Sequence, residues 1–94
     1  MNQIDLFPAE VSPAVVNRRT LRTIAKDIRA TWPRVYFGAV PYLDAMGTME
    51  TIDEDYGMDS GHSIVLYFLA NAGTWRGPDA KRIKAELRTM AGMK

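Results

Sequence analysis

The chain has 94 residues, enough for one domain near the lower end of the usual size range, in which folding buries only about 60–65% of the unfolded surface. It contains no cysteine, which excludes disulfide staples and thiolate metal sites, and aromatic residues spread from Phe7 to Trp75 argue against wholesale disorder. The formal net charge of +1 hides three sorted blocks. Arg18 to Arg34 holds six bases against Asp27; Asp44 to Asp59 holds six acids and no base; Arg76 to the end holds six bases against Asp79 and Glu86.

In chain order, residues 1–11 read as an extended arm that docks Leu6 and Phe7 onto the body. The stretch lacks a basic start followed by an apolar run, which argues against a secretory signal. Ser12-Pro13 reads as an N-cap followed by proline at the first helical position. From Pro13 to Trp32 the apolar residues Leu21, Ile24, Ala25, Ile28 and Trp32 recur at three- and four-residue steps, predicting an amphipathic helix that Pro33 closes. Arg18, Arg22, Lys26 and Arg29 occupy another face of it.

Residues 34–40 suit a strand or a turn of helix equally. A second helix is predicted with Pro41 in its first turn, carrying Leu43, Ala45, Met46 and Met49, and weakened in its middle by Gly47. The acidic segment 53–61 reads as a loop. Counted as a calcium loop from Asp53, it places Met58 at the sixth position and Ile64 at the twelfth, where glycine and glutamate are needed, so it fails that test.

Ser60 is placed to cap a third helix from Gly61 to about Asn71, apolar on every face between Ile64 and Leu69. The last helix starts at Gly77-Pro78-Asp79 and ends at Gly92. Ala80, Ile83, Leu87 and Met90 form its buried stripe, with Lys81, Lys84 and Arg88 on a second face. The expected architecture is all-α: one domain over residues 1–94, a compact bundle of about four helices with an extended N-terminal arm.

The only histidine, His62, stands beside Ser63, but adjacent helical residues do not face each other as a nucleophile–base pair must. With no phosphate-binding glycine loop and no metal motif, the chain reads as a non-enzyme without catalytic residues, metal or cofactor. Trp75-Arg76 is its most distinctive short string. Tryptophan and arginine dominate the energetic centres of interfaces, which makes Trp75 and Arg76 candidate partner-binding anchors, with Arg18, Arg22 and Arg29 as steering charges. The opposing reading makes Trp75 a lid on the core.

Tyr67-Phe68-Leu69-Ala70-Asn71-Ala72, Thr74-Trp75-Arg76-Gly77 and Ala80-Lys81-Arg82-Ile83-Lys84-Ala85-Glu86-Leu87, together with Leu43-Asp44-Ala45-Met46, resemble small proteins encoded by bacteriophages of actinobacteria. The resemblance covers about residues 42–90. It implies a product made in the cytoplasm of a bacterial host that binds and modulates a host or phage protein, and it transfers no site residue. Pairing with a second copy and assembly into a virion stay open. The alternative function is a nucleic-acid-binding regulator using the basic faces of the first and last helices. The apolar run at 64–70 is too short to span a bilayer, so no membrane partner is expected.

Overall fold

A computed structural model describes residues 19–93. The expected arm, the Ser12-Pro13 helix start and Arg18 lie outside the described residues. Helix α1 spans Leu21–Thr31, α2 Val40–Met46, α3 Gly61–Ala70 and α4 Pro78–Met90; a short antiparallel hairpin, β1 Asp55–Tyr56 with β2 Asp59–Ser60, precedes α3. The chain is therefore mostly helical, and all-α overstates it by this hairpin.

Helix α1 does not run unbroken from Pro13. Thr20 is extended (φ −73°, ψ 154°), and its hydroxyl accepts from the Thr23 amide at 3.0 Å, so the helix begins at Leu21. Two more free amides of the first turn are satisfied from a distance: Leu21 donates to the Glu50 carbonyl at 3.0 Å and Arg22 to the Met49 carbonyl at 2.9 Å. These bonds fix the start of α1 against the segment that follows α2. The ambiguous residues 34–40 resolve as an extended stretch and a 3₁₀ turn, Phe37–Ala39, that leads straight into α2. Gly47 ends α2 rather than weakening its middle, donating to the Leu43 carbonyl at 3.0 Å. Met49 lies beyond the helix and is nevertheless buried.

The hairpin closes through the two-residue turn Gly57-Met58, with Asp55 opposite Ser60 and Tyr56 opposite Asp59. Ser60 then caps α3, its hydroxyl accepting from the Ser63 amide at 3.1 Å. Gly61 is buried where hairpin and helix meet. Its amide donates to the Glu54 carbonyl at 2.6 Å, and a Cβ there would stand 2.6 Å from the Ile52 carbonyl oxygen. Only glycine allows that approach.

The core joins Leu21, Ile24 and Ile28 of α1, Leu43 and Met46 of α2, Ile64, Val65 and Phe68 of α3, and Ile83 and Leu87 of α4. Each such side chain contributes roughly 1.5–3 kcal/mol of transfer free energy. Helix α3 is not buried all round: Tyr67 is 45% exposed and packs against Tyr42 of α2, ring centroids 5.4 Å apart. Helices α3 and α4 run in opposite senses. Residues 71–77 join them at one end, and at the other Nε2 of His62 lies 2.8 Å from the Ala91 carbonyl oxygen. No helix among the described residues is long and apolar enough to cross a membrane.

Candidate functional site

The turn between α3 and α4 is built on Trp75. Its ring stacks on Trp32 (centroids 5.3 Å apart, planes within 8°), and Phe68 meets both indoles edge-on at 6.2 and 6.4 Å. These are the offset and edge geometries that aromatic quadrupoles favour. Trp75 is only 2% exposed, the burial of a lid on the core. Its indole N–H is buried and has no hydrogen-bond partner among the described residues.

From Trp75 the chain turns through Gly77, whose φ of 108° belongs to the region glycine adopts without strain, and Pro78 opens α4. Lys84, two turns into α4, reaches back: its Nζ donates to the Trp75 carbonyl at 2.7 Å and lies 5.9 Å from the Trp75 ring centroid. Trp75, Arg76 and Pro78 with Lys81, Lys84 and Arg88 line an open groove of about 630 Å³. Burial, and then the charges of Arg88 and Arg76, hold the Lys84 ammonium below the usual lysine range.

The groove stands out because of where the other charges go. Arg19 forms a bidentate pair with Glu86 (3.0 and 2.6 Å) and also reaches Asp27 at 3.0 Å. Arg82 bridges Asp27 (3.3 Å) and Asp79 (3.1 Å). The Arg19 hydrogen bond first, and then that of Arg82, hold the Asp27 carboxyl below the usual carboxylate range against some desolvation. Arg22 pairs with Glu50 at 3.5 Å, and Arg29 with Asp44. Among the described residues, the carboxylates left outside every ion pair are Asp53, Glu54, Asp55 and Asp59, all around the hairpin. The bases left outside are Lys26, Arg34 and the four of the groove.

Of the expected binding residues, Arg76 is exposed on the groove and Trp75 forms part of its floor. Arg22 and Arg29 lie on α1 in ion pairs and do not line the groove. The structure adds Lys81, Lys84 and Arg88, whose helical spacing was the only sign of them in the sequence. The acidic block is likewise split: Asp44 and Glu50 are answered within the molecule, while the hairpin acids are not. Among the described residues no three His, Asp or Glu side chains converge into a metal-binding group.

No protein-family model, curated protein or solved structure matches this chain.

Proposed function

We propose that this protein is a non-enzymatic interaction module that binds an acidic surface of a partner protein through the groove at the start of α4. One observation carries the reading: four cations, Arg76, Lys81, Lys84 and Arg88, converge without a carboxylate while most other bases of the described chain are paired. Burial first, and then Arg88 and Arg76, lower the Lys84 pKa, and an anionic ligand offsets the repulsion from these two arginines. The resemblance over residues 42–90 supports a setting in which a small bacteriophage protein meets a host or phage factor in the bacterial cytoplasm.

The nucleic-acid alternative draws on the same cations, and it needs the first helix as well. Arg22 and Arg29 on that helix, and Arg19 just before it, are engaged by carboxylates, leaving Lys26 as its one described base outside an ion pair. The observations favour a compact acidic protein surface over a long polyanion.

The test is a pull-down from bacterial lysate with tagged wild-type protein and with the Lys81→Glu/Arg88→Glu variant, each with and without nuclease, read by mass spectrometry. One protein retained by wild type despite nuclease, and lost from the variant, is the expected result. Recovery that collapses on nuclease treatment moves the assignment to nucleic acid. Equal retention by the variant removes the groove from the function.

A further inference from the structure

Among the described residues, the hairpin carboxylates and the groove cations form no ion pair, with each other or with any other group. The hairpin leads directly into Gly61, at the end of α3 where His62 meets Ala91; the groove begins at Trp75, beyond the opposite end of α3. From there the groove runs along α4 to Arg88, three residues before Ala91. Neither set answers the other within one molecule, as the ion pairs show.

Each set also has the shape the other requires. The hairpin is a narrow projection whose tip residue, Met58, is 100% exposed, with Tyr56 beside it 46% exposed and Asp53, Glu54 and Asp55 exposed at its base. The groove is open, with the exposed ring of Pro78 near the buried Trp75 and a cationic margin. A fully exposed methionine on a tight turn has little structural purpose, and its flexible thioether suits insertion into an irregular apolar recess.

We propose that the acidic hairpin of one copy occupies the cationic groove of a second copy, reciprocally, in a two-fold dimer. Met58 covers Pro78 while Asp53 and Asp55 meet Lys81 and Arg88 of the opposite chain. Because each copy carries both a hairpin and a groove, a two-fold pair makes both contacts at once and closes at two. The proposal rests on the groove being a site for acidic protein segments, as proposed above. It adds regulation: the dimer covers the groove, so an acidic partner competes with the second copy's hairpin.

The full-length protein is examined by analytical ultracentrifugation at about 50 mM and about 500 mM salt, across which the screening length passes below about 10 Å. The expected result is a dimer at low salt that dissociates at high salt. Asp53→Lys/Asp55→Lys and Lys81→Glu/Arg88→Glu each weaken self-association by about tenfold or more. Mixed one to one, the two variants dimerise with each other, because reversed hairpin meets reversed groove and the native surfaces of the pair meet as before. Met58→Ser, at a side chain with no contacts to lose, weakens the dimer without changing the circular dichroism spectrum. Wild-type monomer at low salt overturns the proposal, as does a mixture that stays monomeric. Capture of a lysate partner by the hairpin variant separates the two readings: retained capture with wild-type protein monomeric sinks the dimer alone, whereas capture lost only from the groove variant confirms the groove independently.

Discussion

Trp32 and Trp75 lie face to face, 5.3 Å between ring centroids and 8° between planes, although 43 positions apart in sequence. One indole closes α1 and the other precedes α4, so the stack fastens the last helix to the first. Replacing Trp75 by alanine removes the stack and the edge contact with Phe68, and is expected to cost about 3–5 kcal/mol, read by urea denaturation. Trp75→Phe should cost distinctly less. It keeps an aromatic ring and deletes a buried N–H without a partner, a group whose desolvation costs about 1–3 kcal/mol. Equal losses for the two variants would show that the indole N–H is satisfied in solution.

Asp27 joins α1 to α4 by accepting from both Arg19 and Arg82. Asp27→Asn is expected to lower stability at neutral pH by on the order of 1 kcal/mol, the scale of a partly exposed ion network. The sign with pH follows from the carboxyl being held below 3.8, the ordinary value. The stabilisation is complete above that value and is lost as pH falls through the lower folded value. Wild type and variant should therefore differ in melting temperature at pH 7 and converge in strong acid. A gap that persists in acid would assign the effect to packing.

Much of this architecture was legible from local chemistry. The Ser60 cap, Pro78 at the first position of α4 and the stripe Ala80, Ile83, Leu87 are consequences of residues within a turn of one another. The hairpin was not legible, because strands of two residues carry no alternation to read and Gly57 looks the same in any loop. The break at Thr20 was not legible because apolar spacing runs on either side of it and does not show that its hydroxyl caps a helix. The site was half visible: spacing puts Lys81, Lys84 and Arg88 on one face, but which bases stay free depends on pairs such as Arg19 with Glu86, 67 residues apart. Trp75 drew notice for its residue type, and only burial shows that it supports the site from beneath.

Gly61 is the tightest point between hairpin and body. Gly61→Ala drives a methyl group to 2.6 Å from the Ile52 carbonyl oxygen, backbone that cannot swing aside as a side chain would. The expected cost is about 1–3 kcal/mol, the range for forced overpacking. Hydrogen exchange should rise first at Gly61, whose amide bonds to Glu54, and then along the hairpin. Unchanged stability would mean that the 51–54 segment relaxes freely, and the hairpin would then lose its fixed direction.

Lys81 and Lys84 are three residues apart on one groove and carry different burdens. The Lys81 side chain is exposed and makes no hydrogen bond among the described residues, so Lys81→Gln should leave the melting temperature unchanged while weakening capture of an acidic partner. Lys84 anchors the turn by donating to the Trp75 carbonyl. Lys84→Met keeps the aliphatic stem but leaves that carbonyl without its donor, and should cost about 1 kcal/mol of stability as well as weakening capture. Since Arg76 and Arg88 both depress the Lys84 ammonium, neutralising either exposed arginine should raise its pKa, measurable by NMR titration of the lysine Cε protons. The same upward shift on adding an acidic peptide to wild type would place that ligand in the groove, because only a negative charge brought close to Nζ offsets the two arginines. A Lys84 resonance indifferent to the peptide, with binding intact, would move the binding surface elsewhere on the molecule.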